Sequence, residues 1–421
     1  SNKFRYSGDR PARWKHPENA QVSIWPNYNW EQTIIPITGI DLDTKTITLA
    51  RTTGYRAEPG RRFLVQGLFE ELDAPKEWYF EANTKTLFFY PKAPAALGTA
   101  TLPRIAHVMV FDNAAHVSVQ RLTLEVAEAD AVHIRKSHDI TFAGNTIRNV
   151  GGYGIYVDKG DRVKIVSNDI YGTGRGGVWL DGGDRKTLTS SDNVVENNHI
   201  HHFSQVYRMY QPGVYVWGVG ARVAHNLIHD APHTAILLSG NENIIEYNHI
   251  HHVNTDGSDN GAYYMGRDWT QRGNVVRYNL FHDIYGFGLK NIWQPQPNGR
   301  YTYETPSGAF AIYIDDCASG TKVYGNIVYR APMCGVLVGG GRDNHVENNV
   351  FVDCIPAYHS DYRPVGLVDE FLIPRLKDMN YQQPPYATRY PELLDMGPDP
   401  AKPAGNRFAG NIVAYKPDDF A

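Results

Sequence analysis

The chain has 421 residues, a net charge of −4 at neutral pH and three cysteines. This length allows one large domain with an attachment, and the nearly balanced charge gives no indication of binding to nucleic acid or to an anionic membrane surface. Three cysteines are too few for a disulfide framework, and no apolar run is long enough to cross a membrane as a helix.

Residues 1–105 show no internal repeat and are predicted to form a separate β-rich module. Apolar and polar residues alternate along Thr38–Ala50 and again along Glu77–Pro91. This alternation is the pattern of half-buried strands. The tripeptide Asn83-Thr84-Lys85 lies between two such runs, so we predict a hairpin turn there.

From residue 106 to 421 two short motifs alternate. One is centred on an asparagine, at Asn145, Asn168, Asn198, Asn226, Asn248, Asn279, Asn326, Asn349 and Asn411. The other is a short apolar strand, at Gly154–Asp158, Gly177–Asp181, Gly213–Trp217, Ala235–Ser239, Ala262–Gly266, Ala311–Asp315 and Gly335–Gly339. The two longest gaps between asparagines contain inserts, at about 293–308 and 355–405.

Repeated strands at this period, without an amphipathic helix between them, predict a parallel β-solenoid and exclude a doubly wound α/β sheet. In such a stack the recurrent asparagines would form an internal ladder, because each side-chain amide can bond its own turn and the next asparagine. The sequence therefore predicts an all-β solenoid over residues 106–421, preceded by the β-rich module.

The stretch Thr255–Gly320 contains two copies of one pattern, in which an apolar strand is followed by carboxylates, a turn and an asparagine-centred strand. Asp268 belongs to the first copy, and Asp315 and Asp316 belong to the second. Neighbouring coils of a parallel stack lie about 4.8 Å apart, so these carboxylates are expected to face one another. Paired carboxylates, one protonated and one ionised, are what glycosidic bond hydrolysis requires. The alternative is that these aspartates cap turns.

Aromatic and basic residues are concentrated around the same coils. Aromatic faces stack on sugar rings, and Arg or Lys can pair with the carboxylate of a uronate. The residues predicted to bind substrate are Trp217, His233, Tyr264, Arg267, Trp269, Lys290 and Trp293. Each of them alone is more often structural, and His233 fits a packed turn residue equally well.

Histidine forms a second column, three and four residues after successive ladder asparagines. Its members are His201-His202, His229-Asp230, His251-His252 and His282-Asp283. His and carboxylate side chains are ligands for several transition metals. Because the spacing matches no recognised metal motif, we interpret the column as a stacked, hydrogen-bonded ladder and predict no metal.

Several of these motifs resemble a known family. Glu70–Pro91, EELDAPKEWYFEANTKTLFFYP, resembles a segment that precedes many right-handed parallel β-helices. NHIHHV, YYMGRD, RGNVVRYNLFHD and YIDDCASG resemble the repeats of glycoside hydrolases grouped in family 141, which includes α-L-fucosidases acting on complex pectin and some xylanases. This resemblance implies a right-handed parallel β-helix in which YYMGRD carries over Asp268 and YIDDCASG carries over Asp315 and Asp316 as catalytic carboxylates. The sequence departs from the family at Lys76 and Cys317, where glycine is expected.

We therefore expect a glycoside hydrolase that cleaves a plant or microbial polysaccharide or oligosaccharide and needs no cofactor. It would be secreted or periplasmic, with its export signal removed, and would neither bind nucleic acid nor insert into a membrane. One alternative is a polysaccharide lyase with Lys290, Arg267 or a tyrosine as base, and with Ca²⁺ held by aspartates. Another is a non-catalytic glycan-binding solenoid.

Overall fold

The computed structural model describes residues 2–93, 99–290, 301–363, 366 and 368–416. The chain divides into two compact units, the first comprising residues 1–102 and 289–302 and the second residues 103–288 and 303–421. The division thus falls between Leu102 and Pro103.

The first unit is built on an antiparallel sheet of five strands in the order β1-β4-β3-β2-β5. These strands are β1 (Lys3–Arg5), β2 (Gln21–Ile24), β3 (Thr33–Asp41), β4 (Thr46–Leu49) and β5 (Phe63–Gln66). Alternation along β3 and β4 buries Ile35, Ile37, Ile47 and Leu49 in a small core of their own. A hairpin of β6 (Trp78–Glu81) and β7 (Thr86–Phe89) follows, with the predicted turn between them.

The second unit consists of three parallel sheets of ten strands each. Sheet one contains β8 (Met109–Asp112), β11 (Val132–Arg135), β14 (Ile155–Asp158), β17 (Val178–Gly182), β20 (Val214–Val219), β23 (Ile236–Asn241), β26 (Asn260–Gly266), β31 (Ala309–Asp315), β34 (Val336–Gly339) and β37 (Tyr358–Asp361). Sheet two contains β9 (Ala115–Gln120), β12 (His138–Ala143), β15 (Lys164–Val166), β18 (Val194–Glu196), β21 (Arg222–Ala224), β24 (Ile244–Glu246), β27 (Val275–Arg277), β32 (Lys322–Tyr324), β35 (His345–Glu347) and β38 (Arg407–Ala409). Sheet three contains β10 (Thr123–Glu125), β13 (Thr146–Val150), β16 (Asp169–Thr173), β19 (His199–His201), β22 (Leu227–His229), β25 (His249–His251), β28 (Leu280–His282), β33 (Ile327–Tyr329), β36 (Val350–Val352) and β39 (Ile412–Ala414).

Each coil contributes one strand to each sheet, and consecutive coils pair in parallel. In the three-residue strands the middle side chain points inward and the outer two point outward, as in β25, where Ile250 is buried between His249 and His251. The inward Val, Ile and Leu side chains form one continuous apolar core, which is how stacked repeats bury surface that no single coil could bury. The fold is the all-β right-handed parallel β-helix that the sequence predicts.

The asparagine ladder is confirmed at the turn that leads into sheet three. Each side-chain nitrogen donates to the next side-chain oxygen up the stack, at 2.9 Å from Asn226 to Asn248 and from Asn248 to Asn279. The same oxygen accepts the backbone N–H of the preceding asparagine, at 3.1 Å from Asn226 to Asn248. A second, interrupted ladder at the turn into sheet two includes Asn243 and Asn274, 3.1 Å apart. It was not recognised in the sequence, because other residue types replace asparagine in several coils.

The insert predicted at about 355–405 forms a small helical segment. It contains one π-turn, Val368–Leu372, the helices α1 (Ile373–Asp378) and α2 (Tyr386–Arg389), and a 3₁₀ turn, Pro391–Leu393. Short 3₁₀ turns also occur in the first unit, at Arg10–Arg13, Pro17–Asn19 and Phe69–Glu71, and strands β29 (Gly288–Leu289) and β30 (Tyr303–Glu304) flank residues 291–300. The apolar side of the helical segment packs on Trp269 and Cys317. It therefore covers the turn that follows β26 and β31.

Candidate active site

Polar side chains line up where the strands of sheet one end. The strand register places Asp181 beside Trp217, Trp217 beside Ser239, and Gly266 beside Asp315. Side chains at these positions point away from the core, because they lie two residues from the outward-facing Tyr215 and Tyr264 on their strands. The column therefore forms one edge of an outward-facing surface that several coils build together.

Asp315 is the most enclosed carboxyl of this surface, with 8% of its area exposed. The Tyr264 hydroxyl donates to Asp315 Oδ2 at 3.0 Å, and Arg363 Nη2 donates to Oδ1 at 3.0 Å. The backbone N–H of Asp316 also donates to Oδ1, at 2.7 Å. These contacts fix the orientation of the carboxyl group from both sides.

The surroundings of Asp315 favour its protonated form. Burial, followed by the negative charge of Asp316, raises the pKa of Asp315 to about 7, although Arg363 acts to lower it. The loss of hydration therefore outweighs the attraction of the nearby guanidinium. A carboxyl group of this kind can give a proton to a substrate near neutral pH.

Asp316 is held by Arg267, whose Nε donates to Asp316 Oδ2 at 2.7 Å. Arg267 lies at the end of β26, one coil below, and its backbone N–H also donates to the Asp316 carbonyl at 3.1 Å. Both residues have positive φ, +65° for Arg267 and +40° for Asp316. The chain thus turns out of the sheet at this point, and the ion pair joins the two turns.

A third carboxyl group, Asp259, belongs to the same cluster. The Tyr313 hydroxyl donates to Asp259 Oδ1 at 3.2 Å and accepts from Arg363 Nη2 at 3.1 Å. Arg363 Nη2 also donates to Asp315 Oδ1, so Tyr313 and Arg363 together connect the two carboxyl groups. Asp259 is exposed, although neighbouring protein atoms desolvate it enough to raise its pKa. It can therefore be reached from solvent, whereas Asp315 lies deeper.

Aromatic rings cover the outer face of sheet one beside the carboxyl cluster. Trp179 and Tyr215 have ring centroids 4.1 Å apart, and Trp217 follows at 6.0 Å from Tyr215. Tyr210 lies edge-on to Tyr264 at 6.2 Å. Trp217 keeps 41% of its area exposed, so its ring is available to a ligand. The structure thus brings Trp217, Tyr264 and Arg267 to one face.

Asp268 is bound by other residues than those that bind Asp315. It is 1% exposed and accepts from Arg185 Nη2 at 3.1 Å and from Arg375 Nη1 at 3.4 Å. The backbone N–H of Thr270 donates to it at 2.9 Å. Among the described residues, none of these partners of Asp268 also bonds Asp315, so the two carboxyl groups, which were expected to act as a pair, have separate hydrogen-bond partners. The physical reason is that the chain turns inward after Arg267 and the insert covers the turn.

Trp269 differs from its expected role for the same reason. Its side chain is fully buried and packs against Cys317 and the helical segment, including Leu372 and Tyr386. A buried indole cannot stack on a sugar, so the expectation that Trp269 contacts substrate is corrected to a packing role.

The remaining residues predicted to bind substrate lie in three different settings. His233 is 2% exposed, its ring lies 5.1 Å from that of Tyr210, and burial lowers its pKa to about 3. Neither ring nitrogen of His233 has a hydrogen-bond partner among the described residues. Lys290 is exposed and belongs to the first unit. Trp293 lies outside the described residues.

Four residues of the cluster were not predicted from the sequence: Tyr210, Asp259, Tyr313 and Arg363. Tyr313 could have been predicted from the sequence, since it occupies the same position in the second copy of the repeat as Tyr264 does in the first. Asp259 precedes its strand, and Arg363 lies in the insert outside every repeat. No periodicity marks either of them.

Comparisons with known proteins agree with the parallel β-solenoid. A model described as "Right handed beta helix region" matches residues 106–206 and 189–351, which together span more than half of the chain. The chain therefore belongs to the right-handed β-helix family. No curated protein sequence matches it.

Among solved structures, the chain is similar to one titled "Glycoside hydrolase", with a TM-score of 0.53 and 14% identity over 94% of this chain and 68% of that chain. It also matches an alginate lyase from Paenibacillus sp. str. FPU-7, with a TM-score of 0.41 and 15% identity over 60% of this chain and 87% of that chain. A lacto-N-biosidase from Eubacterium ramulus matches with a TM-score of 0.38 and 10% identity over 68% of this chain and 51% of that chain. At these identities the similarity concerns the fold. None of the helices in the described part of the chain has the length and apolar character needed to span a membrane.

Proposed function

We propose that this protein is a carbohydrate-active enzyme that hydrolyses a glycosidic bond on the outer face of sheet one. The observation that supports this most is Asp315, a nearly buried carboxyl group held by Tyr264 and Arg363 whose pKa is raised to about 7. The fold similarity to a glycoside hydrolase is compatible with this activity.

Asp315 is assigned as the general acid. Cleavage of a glycosidic bond needs a proton on the leaving oxygen, and a carboxyl group that stays protonated near neutral pH can supply it. Asp316 contributes to this state through its negative charge. Arg267, which binds Asp316 at 2.7 Å, holds that charge in position.

Asp259 is assigned as the second carboxylate, which attacks the anomeric carbon or activates water. It is exposed, and Tyr313 and Arg363 connect it to Asp315. Retention of anomeric configuration needs carboxyl groups about 5–5.5 Å apart, and inversion needs about 6.5–9.5 Å. NMR of the first-formed product measures the outcome, and an inverted product would remove Asp259 from the nucleophile role.

The sugar chain is proposed to lie along the aromatic rings of sheet one. Trp179 lies on β17, and Tyr215 and Trp217 lie on β20 of the next coil. Aromatic faces are the usual contact surface for pyranose rings. Arg267 adds a partly exposed positive charge beside Asp316. This combination favours a polysaccharide or oligosaccharide substrate, of plant or microbial origin.

A narrower assignment of the substrate rests on the resemblance to family 141. It suggests the fucosylated pectins or xylans on which members of that family act. Because such polymers do not enter cells intact, we place the enzyme outside the cytoplasm, secreted or periplasmic.

A polysaccharide lyase is the second candidate, favoured by Arg267 and Arg363, which could pair with a uronate. A lyase also needs a base, however, and burial raises the pKa of Tyr210, Tyr264 and Tyr313. These tyrosines therefore stay protonated and are poor bases. Hydrolysis fits the cluster better.

The test is a screen of plant polysaccharides and aryl glycosides with wild type, Asp315→Asn and Asp259→Asn. Asp158→Asn is a matched control, because Asp158 ends strand β14 of the same sheet in a distant coil. New reducing ends that are lost in the first two variants and kept in the control would support hydrolysis. Absorbance of an unsaturated product would instead identify a lyase. Glycan binding without turnover in any protein would identify a binding solenoid.

A further inference from the structure

Four imidazole rings form a continuous stack on the outer face of sheet three, far along the coil from the strand ends of sheet one. His201, His229, His251 and His282 lie on consecutive strands β19, β22, β25 and β28. Their ring centroids are 5.3, 4.7 and 4.8 Å apart, and successive rings are within 14° of parallel. The ladder interpretation made from the sequence describes this stack.

At one end of the stack a further imidazole, that of His249, forms a corner with the stacked rings of His251 and His282. His249 lies two residues before His251 on β25, so both point outward from the same strand. Strand pairing places His282 beside His251 on the next coil. His249 Nε2 lies 2.7 Å from His282 Nε2, and one ligand nitrogen from each of the three rings falls within 4.8 Å of the others. All three side chains are partly exposed, so an ion can reach them from solvent.

Hydrogen bonds on the far side of the rings leave a lone pair at this corner. His282 Nδ1 lies 2.7 Å from Asp283 Oδ2, and that carboxylate also accepts from Arg330. Because Asp283 is thereby kept as an acceptor, His282 donates through Nδ1, which in a neutral imidazole leaves the lone pair on Nε2. A carboxylate behind a histidine is the arrangement that orients histidine ligands in many metal sites. His249 and His282 can share at most one proton between their facing nitrogens.

We propose that His249, His251 and His282 form a binding site for a divalent first-row transition-metal ion such as Zn²⁺, with water completing its coordination. Imidazole nitrogens suit zinc, nickel and copper, and three of them with an open position is the donor set of many exchangeable zinc sites. With zinc–nitrogen bonds of about 2.1 Å and tetrahedral angles, ligand nitrogens stand about 3.4 Å apart. His249 and His282 therefore need to separate by about 0.7 Å from the 2.7 Å contact, a small rotation of two partly exposed rings.

The ion would join two neighbouring coils, since β25 supplies two ligands and β28 supplies the third. A second group, Asp169, His199 and His201, lies on β16 and β19. There the Asp169 carboxylate lies within 3.2 Å of both histidines, so that group offers two imidazoles and one carboxylate, whereas the corner at His249 offers three imidazoles. The corner is therefore the stronger candidate for a metal that prefers imidazole ligands, and variants can separate the two groups.

The experiment uses the full chain, freed of metal with a chelator and then titrated with Zn²⁺ by calorimetry and with Co²⁺ by visible absorption. We expect His249→Gln and His282→Gln each to weaken Zn²⁺ binding at least about tenfold and to remove the Co²⁺ bands. His225→Gln is the matched control, because His225 is exposed and stacks on Tyr247 away from the corner. His199→Gln tests the second group and should leave binding at the corner unchanged.

Two results would overturn the proposal: wild-type protein that takes up no Zn²⁺, or an isotherm that is the same in His282→Gln and His225→Gln. Circular dichroism shows whether each variant folds. Cu²⁺ bound to unmodified wild type gives an independent measurement, because electron paramagnetic resonance counts the coordinated nitrogens. Three equivalent imidazole nitrogens are expected, and a spectrum with oxygen ligands alone would contradict the site. Neither readout depends on the enzymatic activity.

Discussion

At the scale of single residues, two opposing effects act on the ionisation of Asp315, and its surroundings determine which one is stronger. Three donors, from Tyr264, Arg363 and the Asp316 backbone, stabilise the ionised carboxylate. Burial and the charge of Asp316 oppose ionisation and prevail, which raises the pKa of Asp315. A carboxyl group exposed to solvent would be ionised at neutral pH. Position in the fold therefore gives Asp315 its proposed role.

The first prediction concerns the pH dependence of activity. A general acid must be protonated, so kcat/KM should fall as pH rises through about 7, the pKa of Asp315. Arg363 lowers this pKa, so Arg363→Gln should move the alkaline limb of the profile upward by roughly 0.5–1 unit. Profiles of both proteins, each measured on one aryl glycoside, give the comparison. An unmoved or lowered limb in the variant would show that another group sets it.

The second prediction concerns stability. Because the pKa of Asp315 is higher in the folded chain than in the unfolded chain, folding holds this proton more tightly. That contribution to stability is present in full below about pH 4 and is lost as pH rises through about 7. Asp315→Asn has no proton to lose, so relative to wild type it should gain stability between pH 5 and pH 8. Thermal unfolding midpoints at the two pH values test this, and a variant that loses stability toward pH 8 would contradict the assigned pKa.

The sequence predicted one half of this cluster and missed the other half. Asp315, Tyr264 and Arg267 were found because they lie on the repeat, where the strand period fixes which residues share a face. Arg363 was missed because it belongs to an insert, and the contact of an insert with a coil depends on packing that no period encodes. Asp268 was misplaced for a related reason, since the repeat predicts its coil but not the turn that buries it.

At the scale of elements, the helical segment around α1 and α2 is attached to the solenoid through Asp268. Arg185 from the coil and Arg375 from α1 meet at this buried carboxylate. Tyr386 and Tyr390 reach the same region, and the Tyr386 hydroxyl donates to the Arg185 carbonyl at 2.8 Å. This attachment explains the burial of Asp268 without a role in the reaction.

The third prediction follows from that attachment. Asp268→Ala leaves two guanidinium groups without their shared partner, so it should destabilise the second unit by about 3 kcal/mol. The control is Asp378→Ala, which removes the exposed ion pair to Lys186 and should cost less than about 1 kcal/mol. Denaturant unfolding measures both, and proteolysis between residues 368 and 401 should be faster only in Asp268→Ala. If Asp268→Ala loses turnover with unchanged stability, Asp268 is catalytic after all.

At the scale of the whole molecule, the two units have separate cores. The first contains Ile35 and Ile47 within its antiparallel sheet, and the second contains the stacked Val, Ile and Leu side chains of the solenoid. The sequence predicts a boundary near residue 105, because the repeat begins abruptly there. Residues 289–290 and 301–302 are grouped with the first unit, which chain order alone does not indicate.

The fourth prediction is that the two cores unfold in two calorimetric transitions. Ile35→Ala should lower only the smaller transition, because it removes about 2–5 kcal/mol from the first core. Asn248→Ala should lower only the larger one, since it breaks the buried ladder between Asn226 and Asn279 and leaves polar groups unsatisfied at about 1–3 kcal/mol each. Scanning calorimetry of both variants resolves this. A single transition that shifts in both would show that the units unfold together.

The strand register of sheet one also has a consequence for how substrate range can change. Trp217, Ser239, Gly266 and Asp315 follow one another at a fixed interval, on a backbone that the two asparagine ladders hold in place. At Gly266 a methyl group would stand 3.1 Å from the Tyr264 hydroxyl and 3.5 Å from Asp315 Cβ, so this one position controls the clearance above the proposed acid. Under the proposed function, exchanging this single side chain would change the space beside the acid, and with it the range of sugars that fit, without rebuilding any loop.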